Sequence, residues 1–306
     1  MDRHAITPNI IIAGATKAGT TSLFTYLNEH PEVCGSTVKE ICHFLTVRFR
    51  EPPKPIEDYT QYFAHWKNEK YRLESSPAYF LGGRELAEAI KLALPDVKVV
   101  LILREPVSRC ISHFRFTKNM LKLPEDMTLE EYFFHCQTIP HEAFRKRENH
   151  VYYGLASGIY SDYLDDWIGV FGDNLHICFF DDLIKSPRVF TQSVCRWMGI
   201  DDSFFDEYNF VIENKGRNFK NRAIQKVALE LNKTFEIFLR KNIGLKRLLR
   251  KAYFALNGSS GKSSSEDESE ATLRKIREYY SPHNKVLKAL LVSANVGPLP
   301  KWLGEE

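Results

Sequence analysis

The sequence predicts an α/β fold: a P-loop-like parallel β-sheet flanked by helices on both faces, with a helical region towards the C-terminus. Three observations predict it. Short, near-continuously apolar runs of strand length recur along the chain, amphipathic stretches separate them, and a glycine-rich turn joins the first run to the first helical stretch.

Asn9 to Gly14 (NIIIAG) is a branched apolar run that ends on glycine, and the amphipathic stretch Thr20 to His30 follows it, closed by Pro31. That order reads as strand, tight turn, helix. Lys98 to Leu103 (KVVLIL) and Leu175 to Phe180 (LHICFF) carry the pattern of parallel strands buried on both faces, and Tyr71 to Glu74 is a further candidate strand. Between them lie helical periodicities: Leu86, Ala89, Ile90 and Ala93 before Pro95, then Tyr160, Tyr163, Leu164, Trp167, Ile168 and Phe171 before Gly172.

Helix ends are also legible. Ser186-Pro187 reads as N-cap and first helical residue, with Phe190, Val194, Trp197 and Met198 inward and Gly199 as terminator. Thr128 and Glu131 form a capping-box pattern. Residues 257 to 270 (NGSSGKSSSEDESE) cannot bury apolar surface and predict a mobile loop inside the helical C-terminal region. Ser281-Pro282 then reads as a new cap and first turn, with Leu287, Leu290 and Leu291 returning to the core.

The chain's 306 residues and 43% hydrophobic content fit one domain over 1–306 with a sizeable core. The charge balance of 42 basic against 39 acidic residues gives +3, too small an excess for a dedicated nucleic-acid binder, and no nucleic-acid partner is expected. Cys34, Cys42, Cys110, Cys136, Cys178 and Cys195 are scattered with no CxxC pair, so burial as thiols is expected and neither a zinc site nor a redox motif. The N-terminus enters a run of three isoleucines, too short for a signal peptide or a membrane span; a cytoplasmic protein without a transmembrane segment is expected.

Gly14-Ala15-Thr16-Lys17-Ala18-Gly19-Thr20-Thr21 lies between the first strand and the first helix, where backbone N–H groups and the positive helix end can cradle an anion. Thr16, Lys17, Ala18, Gly19, Thr20 and Thr21 are therefore candidate cofactor-binding residues. A nucleotide triphosphatase needs GxxxxGK[ST], with lysine after the second glycine; here the lysine precedes it. The strand Lys98 to Leu103 also runs into Arg104 where a magnesium-holding acid would stand, so no metal site is expected. A sulfuryl group carries less negative charge than a terminal phosphoryl group, and lysine with backbone dipoles can suffice for its transfer. The alternative, a P-loop nucleotide kinase or phosphotransferase, fails on the lysine order and the missing acid.

The ordering KAGTTSL resembles the 5'-phosphosulfate loop of sulfotransferases that use 3'-phosphoadenosine 5'-phosphosulfate (PAPS). A second motif strengthens the likeness. Arg104-Glu105-Pro106-Val107-Ser108-Arg109-Cys110-Ile111-Ser112 follows a strand and enters a helix, and its RxPxxRxxS pattern resembles that family's 3'-phosphate motif, with Arg104 and Ser112 at the matching positions. Arg104 alone would read as a surface ion-pair residue; paired with the first loop it supplies the second grip that a 3',5'-bisphosphorylated adenosine needs. The resemblance extends over Lys39-Glu40, the segment Glu74 to Phe80 (ESSPAYF), GIYSDYLDDW, FFDDLIKSP and LRKIREYYSPHN, and is nearest to bacterial sulfotransferases and the sulfotransferase domains of heparan sulfate enzymes. It implies the sulfotransferase fold, PAPS as donor and 3',5'-adenosine bisphosphate as product. Lys215, Gly216 and Arg217 resemble the family's late KGR-type cofactor loop.

For the chemistry, the resemblance implies Glu40 as catalytic base, in a segment Lys39-Glu40-Ile41-Cys42-His43-Phe44 expected to line an apolar cleft that raises its basicity. Lys17 is expected to stabilise the bridging oxygen of the leaving nucleotide. His43 is a third catalytic candidate, although it stands three residues after Glu40 where the related enzymes carry histidine two after. The family's lysine in EKSPxY is replaced by Ser75, which shifts charge demand to Lys17 or another cation. His113 is a second candidate base, and Tyr79 and Phe80 read as pocket wall.

The resemblance implies an acceptor hydroxyl or amine, on a small molecule or a glycan, and specificity is expected to lie in loops such as 120 to 150 and 245 to 270, whose sequence does not name it. The stretch Leu239 to Tyr253 (LRKNIGLKRLLRKAY) reads either as a basic helix lying on anionic lipid or as a solvated helix with a buried leucine face.

Overall fold

The computed structural model describes residues 6–211, 218–235, 243–259 and 269–304. Its centre is a five-stranded parallel sheet in the order β2-β3-β1-β4-β5, made of β1 Ile10–Gly14, β2 Val33–Gly35, β3 Tyr71–Ser75, β4 Lys98–Leu103 and β5 Leu175–Phe179. The central strands are the apolar runs, and every residue of Ile10–Gly14 is buried. β5 departs from expectation: it is an edge strand, so Leu175, His176 and Ile177 are only half-buried, and Phe180 opens the next helix instead of ending the strand. β2, only three residues long, has no periodicity that could reveal it from sequence.

Helices α1 Thr20–Asn28, α2 Gly83–Ala93, α3 Pro106–Asn119, α4 Leu129–Thr138, α5 Ser161–Phe171, α6 Phe180–Lys185 and α7 Pro187–Met198 flank the sheet. The chain steps from β1 to β2 in one direction across the sheet and from β3 to β4 in the other. Right-handed crossovers in opposite directions lie on opposite faces, which puts α1 with α7 on one side and α2 with α5 on the other. A second apolar cluster joins Val107, Cys110 and Phe114 of α3 to Leu129, Tyr132 and Phe133 of α4 and to Ile276 and Tyr280 of the C-terminal helix.

The capping box at Thr128 and Glu131 is present, and Ser186, Pro187 and Gly199 bound α7 as expected, Gly199 with a φ of 72°. Ser281-Pro282 does not start a helix: one helix runs Glu270–Ser293 through Pro282, capped by the Ser269 side chain. Burial of Ile276 and Tyr280 before the proline and Leu287 and Leu291 after it outweighs the hydrogen bond the proline deletes. The predicted loop at 257 to 270 is ordered at its edges. Asn257 ends the helix Ile243–Asn257 and is buried, Gly258–Ser259 pairs antiparallel with Asn218–Phe219, and residues 260–268 lie outside the described residues. Of the basic stretch 239 to 253, residues 239–242 also lie outside them, while Leu248 and Leu249 are exposed and belong to no buried face. No cysteine is in a disulfide; five are buried and Cys42 is half-buried. Among the described residues no helix is long and apolar enough to cross a membrane, and no group of three or more His, Cys, Asp or Glu is placed to hold a metal ion.

Candidate active site

The strand order reverses between β1 and β4, and in open parallel sheets ligands gather at the carboxyl edge of such a switch point. Three chain segments meet there, because Gly14 of β1 pairs with Leu101 of β4 and Ile12 with Ser75 of β3.

The loop after β1 is fixed by its backbone. Ala15 N donates to Ile102 O at 2.9 Å and Ala18 N to Ala15 O at 3.2 Å, and the turn closes through left-handed Lys17 (φ 68°) and Gly19 (φ 83°). Gly19 is required twice over: its φ disfavours other residues, and a Cβ there would lie 2.6 Å from the Leu183 side chain. As N-cap of α1 it has no side chain to cover the first-turn N–H groups, which leaves that helix end able to bind an anion. Thr16, Lys17 and Thr21 are half-buried and accessible, whereas Ala18 and Thr20 point into the core.

Lys17 Nζ stands 4.2 Å from the centre of the Phe116 ring and, among the described residues, makes no ion pair. Burial, then the neighbouring Arg104, lower its pKa to about 8, against a smaller opposing pull from Glu40. Arg104 emerges from β4 and reaches back: its Nη1 donates to Lys17 O at 2.9 Å, and its guanidinium lies 4.5 Å over the Phe180 ring. The Tyr160 hydroxyl fixes the arginine backbone, donating to Arg104 O at 2.8 Å and accepting from Arg104 N at 3.3 Å. Burial lowers the Arg104 pKa also.

The helix that follows is closed differently. Glu105 caps α3, accepting from Val107 N at 2.9 Å and Ser108 N at 2.6 Å, so this N-terminus already holds a carboxylate. Ser112 is half-buried one turn before Phe116, on the face that carries the Lys17 contact. Arg109, the second arginine of the motif, is wholly buried and donates to the Gly154 carbonyl, anchoring the 154 loop.

Glu40 N donates to Ser75 O at 2.9 Å, and Glu40 has a φ of 64°. Its side chain does not enter the apolar cleft expected for it: it is 58% exposed, with Oε1 2.9 Å from Lys39 Nζ. Its charge opposes, in small part, the lowering of the Lys17 pKa. His43 is placed elsewhere. It is 1% exposed, stacked on Tyr59 at 4.1 Å, and burial lowers its pKa. Such a ring belongs to the core. The residue two after Glu40 is Cys42, a half-buried thiol pushed up to about 11, chiefly by burial. His113 lies on the inner face of α3, 6% exposed, with its pKa pushed down to about 3 by burial and by Arg109, His150 and Lys17, which leaves it a weak base.

Ser75 is fully buried, and its Oγ has no hydrogen-bond partner, so the charge of the lysine it replaces is not restored at that position. Tyr79 and Phe80 are core, not pocket wall: both are 0% exposed, and Phe80 packs against Gly14. Lys215, Gly216 and Arg217 lie outside the described residues. Sequence reasoning assigned no role to Glu74, a fully buried carboxylate that accepts from three hydroxyls. The signal was an acid at a strand position flanked by Leu73 and Ser75.

A family model described as Sulfotransferase domain matches residues 7–254. Among curated proteins, the membrane-associated sulfotransferase kil1 of Dictyostelium discoideum is 32% identical over 131 residues, covering 42% of this chain and 27% of that protein. Heparan sulfate glucosamine 3-O-sulfotransferase 5 of Mus musculus is 30% identical over 194 residues, covering 63% of this chain and 54% of that protein. The chain thus spans about half or less of the length of these relatives. The solved structure of a sulfotransferase from Alicyclobacillus acidocaldarius matches with a TM-score of 0.69 over 97% of this chain and 99% of that one, at 18% identity, which shows a common fold. With 7–254 of 306 residues matched, the chain belongs to the sulfotransferase domain family.

Proposed function

We propose that the chain, as one domain over 1–306, transfers a sulfuryl group from PAPS to a hydroxyl or amine of a small molecule or glycan. The observation that carries this reading is the pair Lys17 and Arg104: two half-buried cations just beyond the carboxyl ends of adjacent strands, joined by the Arg104 guanidinium donating to the Lys17 backbone carbonyl and, among the described residues, paired with no acid. Burial makes such charges costly unless an anion completes them. A bisphosphorylated nucleotide fits that demand, with the open end of α1, Lys17 and Thr21 on its 5' side and Arg104 and Ser112 on its 3' side.

PAPS, when bound, supplies the sulfuryl group and departs as 3',5'-adenosine bisphosphate. Glu40 takes the proton of the acceptor hydroxyl as the new oxygen–sulfur bond forms, and its exposure leaves room for an acceptor beside it. Lys17 lies on the opposite side of the reacting centre in this reading and stabilises the bridging oxygen as the bond to the nucleotide breaks. Lys39 Nζ, 2.9 Å from Glu40 Oε1, orients the carboxylate until the acceptor arrives. The reading needs no metal: the loop lysine precedes Gly19, and Arg104 follows the end of β4 where a metal-holding acid would stand. The same two features weigh against a nucleotide kinase. The names of the heparan sulfate relatives favour a glycan acceptor, the small-molecule class being the other.

The test is transfer of labelled sulfuryl from PAPS, in the presence of EDTA, to a panel of glucosamine-containing glycans and simple alcohols and amines. Acceptor-dependent label in product and release of 3',5'-adenosine bisphosphate are expected. Turnover that appears only with ATP and magnesium would replace this reading with the kinase.

A further inference from the structure

We propose that Glu74 is a positioning residue for the turn that carries Glu40, an inference that rests on the reading of Glu40 as base. Glu74 lies on β3 opposite Ile11 of β1 and is 0% exposed. Among the described residues no cation pairs with it; three hydroxyls donate to it instead, Tyr59 to Oε2 at 2.6 Å, Ser76 to Oε1 at 2.6 Å and Tyr79 to Oε1 at 2.8 Å. A carboxylate this deep is costly even when satisfied, and an apolar core of the same shape would serve stability as well. Its use lies in what it does to the hydroxyls.

Ser76 and Tyr79 each commit their only proton to Glu74, which leaves their lone pairs to face the next segment. There Ser76 Oγ accepts from Cys42 N at 3.0 Å and the Tyr79 hydroxyl accepts from Phe44 N at 3.2 Å. With Glu40 N bonded to Ser75 O at 2.9 Å, alternate amides of residues 40, 42 and 44 are fastened to the end of β3. The fastening is needed locally, because Glu40 and Cys42 both hold left-handed backbone, at φ 64° and 55°, which a non-glycine residue does not keep unaided. Burial raises the Glu74 pKa and the three donated hydroxyl protons oppose it; as a carboxylate it sets a one-way polarity of donors, from backbone amide through hydroxyl to Glu74, and so fixes the turn from which the Glu40 side chain projects.

Two variants separate this from a structural role. Glu74→Gln keeps the shape but replaces one acceptor oxygen by an NH2 group: set towards Ser76 and Tyr79 it turns both hydroxyls away from their amides, and set towards Tyr59 it spares them, so exchange at Cys42 and Phe44 reports which orientation is taken. Ser76→Ala deletes a single link. Each variant, alone and with Glu40→Gln, is measured for kcat, for 3',5'-adenosine bisphosphate affinity, and for amide hydrogen exchange at residues 40 to 44. The expected result is faster exchange at Cys42, a kcat about tenfold lower with nucleotide affinity unchanged, and no further loss in the Glu40→Gln background. Should Glu74→Gln fail to fold, Ser76→Ala decides alone. Unchanged exchange and turnover in Ser76→Ala, or a loss that multiplies with that of Glu40→Gln, would overturn the proposal. Turnover of Glu40→Gln by itself reports on the base separately: if it is normal, the base reading fails while the exchange data still decide whether Glu74 holds the turn.

Discussion

Arg104 donates from Nη1 to the backbone carbonyl of Lys17 at 2.9 Å, across 87 residues of sequence. The loop after β1 and the motif after β4 are therefore one unit, and the arginine serves both the loop's shape and its charge.

Lys17→Ala and Glu40→Gln are expected to differ in kind. Glu40→Gln keeps the shape of the side chain and removes a base used only as sulfur is attacked, so kcat falls by roughly 100-fold while 3',5'-adenosine bisphosphate affinity is unchanged. Lys17→Ala lowers both, since its ammonium acts on the bound nucleotide and more strongly as charge develops. Steady-state kinetics with an aliphatic acceptor, together with calorimetry, check the pair.

The pH profile follows from the depressed pKa of Lys17, about 8, caused first by burial and next by Arg104. The ammonium is the active form. On this limb kcat/KM is flat below about 8 and falls as pH rises through that value, because the free enzyme loses the proton there. Nucleotide charge beside the ammonium raises its pKa, so the same limb in kcat lies at higher pH. Lys17→Arg removes the limb from this range. Stability runs the opposite way: the unfolded lysine keeps its proton up to its ordinary 10.5, the folded one only to about 8, so this residue's contribution rises with pH between the two.

Gly19→Ala is expected to destabilise the domain by about 1–3 kcal/mol, since it combines a left-handed backbone with a side-chain collision. The new Cβ would meet Leu183 at 2.6 Å and Phe180 at 3.0 Å. Thermal melting checks it, and nucleotide affinity should fall with it because the collision moves the loop.

The parts of this fold that sequence disclosed are those where one physical demand dominates. Ile10–Gly14 and Lys98–Leu103 are buried on both faces and could hardly be anything but central strands. The loop between Gly14 and Thr21 was legible because glycine and lysine at fixed offsets have few other uses. Pro282 was misread because local propensity ends a helix there, whereas Tyr280 and Leu287 bury enough surface to carry it through. His43 was misplaced because residue type and spacing say nothing of which way a side chain turns: the left-handed Cys42 sends the ring under Tyr59. Glu74 was passed over for a related reason, since its role depends on Tyr59, 15 residues away, and on serine and tyrosine hydroxyls whose direction only the fold sets.

The central claim, that Lys17 and Arg104 together form a site for a 3',5'-bisphosphorylated nucleotide, is tested most directly by calorimetric titration of the wild type and Arg104→Ala with 3',5'-adenosine bisphosphate and with 5'-AMP. A charge-assisted hydrogen bond contributes about 1.5–3 kcal/mol, so the bisphosphate should bind the wild type at least about tenfold more tightly than 5'-AMP. Arg104→Ala should erase most of that difference. Equal affinities of the two nucleotides for the wild type would contradict the account.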